Sequence, residues 1–270
     1  MTSVDTTGTP GAGATGEAKA LVKGIAALNA IAASPAGRPL AEIAEEAGLT
    51  KGTAHRLLAS LVAADLVRTS GDGNYRLGSR CVALGQAFLD GLDVRAEAAE
   101  SMRRIVALTG ETCHLGILDG SHIVYIEKLD SPQSIRMFSR VGGTNPATTT
   151  GLGRAILAFS DPAVVDAVFA AGIPTRTDHT ITDVEVARVR LEEARRDGFA
   201  IDDLENELGI RCVAAPILDH EGRATAGISI AGPEHRVTRE TAPQFGEVVR
   251  EAAAEISHRI GYQGPFPPAG

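Results

Sequence analysis

The chain has 270 residues, 44% of them apolar but only 4% aromatic and none tryptophan, which suits two domains with cores of Leu, Ile, Val and Ala. Its three cysteines, Cys81, Cys113 and Cys212, are scattered and odd in number, which argues against a disulfide scaffold and for a reducing compartment. No apolar run is long enough to span a bilayer, and the start MTSVDTTGTP lacks the basic and apolar parts of a signal peptide, so a cytoplasmic protein with no membrane partner is expected. The formal net charge of -8 is divided unevenly, residues 1–80 carrying +1 and the remainder -9. An acidic body of that kind is repelled by nucleic acid, so DNA contact would be confined to the N-terminal head.

Residues 1–16 are rich in Thr, Gly and Ala without periodicity and are expected to form a disordered arm. A helix is predicted from Glu17 to Ala33, with Leu21, Ile25, Leu28 and Ala32 on the side that covers the next two helices. Residues 39–77 read PLAEIAEEAGLTKGTAHRLLASLVAADLVRTSGDGNYRL. Leu40, Ile43, Ala44 and Ala47 form one apolar face; Gly48 ends that helix with a positive φ, and Thr50 caps the next. In the second helix Ala54, Leu57, Leu58, Leu61 and Val62 form a core stripe. Gly52, Thr53, Arg56 and Ser60 lie opposite, flanked by Lys51 and His55. Arg56 can fork onto a guanine edge or grip a phosphate, and Gly52 adds no bulk where backbone approaches a groove. A strand over 66–69, a turn over 70–74 and a returning strand over 75–77 follow, with Arg68 and Arg76 placed for flanking phosphates. The order is that of a winged helix-turn-helix over 17–78, a reader of double-stranded DNA. A winged helix that binds protein instead is the other reading of the same shape.

Residues 79–94 carry Val82, Leu84, Phe88 and Leu92 at helical spacing and read as a linker helix able to pair with its copy in a second chain. The body is expected over 95–261. A helix over about 94–108 opens it, then a hairpin of 112–118 and 122–129 closed by Asp119-Gly120. A third strand is predicted over 134–141, and 142–146 is read as a loop. Thr148, Thr149 and Thr150 lead into a helix at Gly151-Leu152-Gly153, followed by a short helix over 161–171. Thr182 is the expected cap of a helix that stops at Gly198, with Glu185 reciprocating and Ile181 stapling to Val186. Strands over 199–202, 211–218 and 224–231, a long helix over about 241–260 and a loose tail over 262–270 complete the chain. The body is thus one sheet of about six strands flanked by helices. It lacks a nucleotide-binding signature, since no GK[ST] follows the isolated Gly151-Leu152-Gly153.

Thr148–Gly153 is the leading ligand candidate, because a helix start offers free N–H groups that suit a small carboxylate; plain capping, with Gly151 and Gly153 there for packing, is the alternative. Cys212 and Ser229 lie on strands that are neighbours in the predicted sheet and either face one cavity or fill the core. Asp202, Asp203, Glu205 and Glu207 form an acidic cluster that can clamp an arginine, bind a polar ligand group or sit in water. No His/Cys/Asp grouping has metal-ligand spacing, and Cys212 has no neighbouring histidine, so neither a metal, a cofactor nor a catalytic residue is expected.

Together these segments resemble the IclR family of bacterial transcriptional regulators from about Ala20 to Gly261. The resemblance is carried by LAEIAEEAGLTKGTAHRLLASLVAADLV with YRLG in the head. In the body it is carried by TGETCHLGILDG, VYIEKLDS, VGGTNPATTTGLGRAILA and GFAIDDLENELGIRCVAAPILDHEGRATAGISIAG. It implies an α+β protein of two domains, a winged helix-turn-helix and a GAF-like effector-binding domain with a central antiparallel sheet. It also implies dimers or dimers of dimers that bind operator DNA, repressors more often than activators, and answer to a small organic molecule, usually an acid. By that resemblance Gly151 and Leu152 hold an acid group through backbone N–H, and Asp202, Ile210, Cys212 and Ser229 line the same pocket with Met137 on its apolar side. The sequence departs from acid-sensing relatives at Ala231, where a second serine is usual, and at Asn145, where a bulky aliphatic residue helps close the cavity. These departures weaken the carry-over of an effector such as glyoxylate or pyruvate.

Overall fold

A computed structural model of the chain describes residues 16–34, 36–91, 93–134 and 139–268. The chain divides into two compact units with the boundary after Leu92.

The N-terminal unit contains α1 (Gly16–Ala32), α2 (Leu40–Glu46), α3 (Lys51–Ala63), a two-stranded antiparallel wing of β1 (Val67–Thr69) and β2 (Tyr75–Leu77), and α4 (Arg80–Asp90). Gly48 between α2 and α3 has φ +63°, and Thr50 caps α3 by accepting the Thr53 N–H at 3.3 Å. The small core joins Ala27, Ala30 and Ile31 to Ile43, Leu58 and Val67. Burying each large aliphatic side chain stabilises such a core by about 1.5–3 kcal/mol. The inward face of α1 differs from expectation. Small residues let α1 sit close to α2 and α3, so Ala27 and Ala30 are buried while Leu21 and Ile25 are exposed.

The C-terminal unit opens with α5 (Val94–Thr109), capped by Asp93 and stopped at Gly110 with φ +70°. Its six strands are β3 (Thr112–Asp119), β4 (His122–Leu129), β5 (Thr144–Pro146), β6 (Ala200–Asp203), β7 (Ile210–Leu218) and β8 (Ala224–Pro233). They form one antiparallel sheet in the order β5-β4-β3-β8-β7-β6. One face packs on α5 and α9 (Ala242–Arg259); the other is covered by α6 (Gly151–Leu157). α7 (Pro162–Ala170) and α8 (Val184–Asp197) share a buried apolar cluster with α6.

Four local expectations change. Thr144–Pro146, read as a loop, is an edge strand whose Asn145 pairs with Ile123. Half of the strand expected over 134–141 lies outside the described residues, and Ser134, Ser139, Arg140 and Val141 are not in a strand. The cap of α8 is Asp183, not Thr182: its Oδ1 accepts from Glu185 N at 2.8 Å and Val186 N at 3.2 Å. The segment expected to be a loose tail is anchored, because Tyr262 and Phe266 pack against the body core.

Candidate functional site

In the head, the α3 stripe turns Ala54 and Leu58 inward, so Lys51, Gly52, His55, Arg56 and Ser60 are exposed and Thr53 is half-buried. The Thr50 hydroxyl donates to Thr53 Oγ1 at 3.0 Å, and Ser60 Oγ returns to the Arg56 carbonyl at 3.2 Å. Lys51, Arg56 and exposed Arg68 form no ion pair among the described residues, which leaves three cations available to a polyanion. Arg76 differs. It is partly buried, 3.7 Å from Asp72, and its side chain lies against the backbone of Gly37, so it braces the base of the wing.

In the body, β-sheet register gathers residues far apart in sequence. His114 pairs with Ser229 across β3 and β8, Ala231 with Cys212 across β8 and β7, and Cys212 with Asp202 across β7 and β6. Paired residues share a face, and this face lies beneath α6. The floor of a small cavity of ≈ 20 Å³ is built there, room for one water molecule. Leu152, Asp202, Ile210, Cys212 and Ser229 line it, as expected of them. Gly151 does not line it but packs behind it: a Cβ there would lie 3.2 Å from Cys212 Sγ. Asn145 also stands outside, donating to Tyr125 Oη at 3.1 Å, and Met137 is outside the described residues.

Sequence reasoning missed His114, Tyr125 and Asn206, which complete the lining together with Thr150, Glu207 and Ala231. Alternation along TCHLG marks His114 as one face of a strand, but which face became known only with the pairing to Ser229. Its ring lies 4.8 Å from that of Tyr125, and Nε2 meets Ser139 Oγ at 2.7 Å. Burial holds the imidazole far below its usual range, to about 3, so it is neutral. Burial likewise pushes the Tyr125 phenol up to about 12. The Cys212 thiol is also pushed to about 12, by burial first and the nearby Asp202 charge second. A thiol so held is no activated nucleophile.

Asp202 Oδ1 accepts the backbone N–H groups of Glu205 at 2.8 Å and Asn206 at 3.3 Å. Even so, burial raises its carboxyl to about 7. The Ser229 hydroxyl is fully buried with no oxygen or nitrogen partner, and only the weakly pairing Cys212 thiol stands beside it. A buried hydroxyl so weakly paired is costly in a finished core.

The acidic cluster is split by strand alternation at Asp202 and Asp203 and by the turn after β6 at Glu205 and Glu207. Asp202 and Glu207 face this cavity, while Glu205 and Asp203 clamp arginines: Arg154 at 2.7 Å for the first, Arg211 and Arg239 for the second. A larger cavity of ≈ 260 Å³ lies where those arginines gather with Arg190. Each of the four is already taken by a carboxylate, so that cavity offers no free charge to recruit a ligand. Among the described residues no group of three or more His, Cys, Asp or Glu is placed to hold a metal ion, and no helix is long and apolar enough to cross a membrane.

Residues 20–71 match the family described as IclR helix-turn-helix domain, and residues 86–258 match Bacterial transcriptional regulator IclR C-terminal. Over 230 residues the chain is 34% identical to the HTH-type transcriptional regulator KdgR of Escherichia coli, covering 84% of this chain and 88% of KdgR. It is 32% identical over 252 residues to the transcriptional repressor IclR of the same organism, covering 92% of each. The crystal structure of the repressor BlcR from Agrobacterium tumefaciens superposes with a TM-score of 0.78 at 28% identity, covering 91% of this chain and 98% of BlcR. The chain belongs to the IclR family of DNA-binding, helix-turn-helix transcriptional regulators.

Proposed function

We propose that the protein is an operator-specific repressor whose hold on DNA is set by a small organic acid bound in the body cavity. The observation that carries the effector reading is the buried Ser229 hydroxyl, without an oxygen or nitrogen partner, lining one cavity with the Asp202 carboxyl. The lining has to part to admit an organic ligand, because the cavity has room for one water. Repression is favoured by two similar proteins that are repressors, IclR and BlcR.

Lys51, Thr53, His55, Arg56 and Ser60 contact the major groove in this reading, with Arg68 on a flanking phosphate and the α3 start, Thr50 and Gly52, against the backbone. The protein acts as a homo-oligomer. Leu21 (67% exposed) and Val22 (63%) on α1 and Val82 (75%) on α4 are apolar surface suited to a second copy. The place of work is the cytoplasm, where bacterial DNA lies. Selection of bound fragments from random double-stranded DNA at stated salt tests the reading: a recovered palindrome supports it, and failure of the folded protein to enrich any sequence, with small acids present or absent, overturns it.

A further inference from the structure

We propose that the body cavity takes up a small monocarboxylate together with one proton, so that Asp202 stands as a neutral carboxyl in the complex and the ligand binds more tightly as pH falls. This rests on reading that cavity as the effector site.

Three donors there lack strong acceptors. The Ser229 hydroxyl is fully buried with only the Cys212 thiol, a weak acceptor, beside it. The Tyr125 oxygen accepts from Asn145, which leaves its own O–H unused. The Asn206 carbonyl accepts from Thr149 at 3.1 Å, which leaves its NH2 unused. Such a set calls for ligand oxygens. The charges oppose that ligand unless a proton comes with it. No cationic side chain among the described residues lines the cavity, while Asp202 and Glu207 do. The nearest guanidinium, Arg154, is committed to Glu205 and to the Ile201 carbonyl. A carboxylate seated beside an ionised, buried Asp202 meets like-charge repulsion in a low dielectric. A proton on Asp202 removes the repulsion and adds a fourth donor. Oδ1 already accepts two backbone N–H groups, so the proton belongs on Oδ2, which makes no hydrogen bond.

The groups that face Asp202 agree. Arg154 on α6 favours its ionised form; burial and Glu205 oppose it, and together they bring the carboxyl to about 7. Cys212 on β7, Tyr125 on β4 and His114 on β3 are uncharged at neutral pH, and Glu207 adds a second negative charge.

The test is calorimetry on the full chain with acetate, glyoxylate and pyruvate, between pH 6 and 8.5, in two buffers of different ionisation enthalpy. Binding about 30-fold weaker at pH 8.5 than at pH 6 is expected, as is proton uptake approaching one per ligand at the alkaline end. Asp202→Asn, which keeps a neutral donor at the position, is expected to bind at both pH values alike and without proton uptake. Affinity that does not change with pH, absence of proton uptake by the wild type, or failure of all three acids to bind at pH 6 overturns the proposal. Ser229→Leu fills the cavity and separates the two claims. Binding that is pH-independent but abolished by Ser229→Leu sinks proton coupling alone, whereas binding that survives Ser229→Leu moves the ligand elsewhere and the effector-site reading falls with it.

Discussion

Arg56 and Arg154 show what one guanidinium does when it is left free and when it is enclosed. Arg56 is exposed and unpaired on α3. If it forks to a guanine, Arg56→Ala is expected to lose about 1–3 kcal/mol of discrimination between operator and scrambled DNA. An equal loss on both DNAs in binding isotherms makes it a phosphate contact instead, and undiminished specific binding removes it from the interface. Arg154 has a side chain only 6% exposed against the 7% exposed Glu205. Arg154→Met strands a buried carboxylate and is expected to destabilise the body by about 3–5 kcal/mol in urea, with much of the loss recovered by adding Glu205→Gln. A double variant no more stable than the single one contradicts this. The sequence showed the acidic cluster but not its division. Asp203 and Glu205 find partners 8 and 51 residues away, and only the path of the turn after β6 decides which carboxylates face the cavity.

At the scale of elements, local rules sufficed where the signal was local. The Asp119-Gly120 hairpin, the Gly48 and Gly198 stops and the Thr50 cap follow from turn and capping chemistry and stand where expected. They failed where two neighbours offered the same chemistry. Thr182 and Asp183 are both good caps, and the helix starts at Val184, so the carboxylate takes both N–H groups. Asp183→Ala is therefore expected to cost about 1 kcal/mol in thermal or urea unfolding, and Thr182→Ala much less; the reverse order restores the sequence-based reading. The edge strand Thr144–Pro146 was illegible because it is three residues long with a terminal proline, and its pairing with β4 is tertiary. For Gly153 the sequence allows both a ligand role and packing, and the geometry shows packing. A Cβ there would lie 2.0 Å from the Ala147 carbonyl oxygen, so Gly153→Ala is expected to cost about 1–3 kcal/mol or more and to loosen the helix that roofs the cavity.

At the scale of the whole molecule, the division into a near-neutral head and an acidic body was legible from charge counts alone, but the proton balance of the body core was not. Two buried groups there oppose each other. Asp202 has its folded value raised from 3.8 to about 7, so between those values the folded chain holds a proton the unfolded chain has lost, and stability falls as pH rises. His114 has its folded value lowered from 6.5 to about 3, so between those values the unfolded chain holds the extra proton, and stability rises with pH. The windows overlap from 3.8 to 6.5, where the two slopes cancel. Removing one group exposes the other. Relative to wild type, Asp202→Asn is expected to gain a rising dependence of about 1.4 kcal/mol per pH unit across that window. His114→Gln is expected to gain a falling dependence of similar size, each read from urea unfolding at a series of pH values. Above pH 7 the Asp202 slope ends, and there the variant and wild-type curves run parallel. If neither variant's curve tilts against wild type between pH 4 and 6.5, these two groups do not titrate as a buried pair. The core beneath α6 would then be open to water, and its weakly paired hydroxyl would need no ligand to explain it.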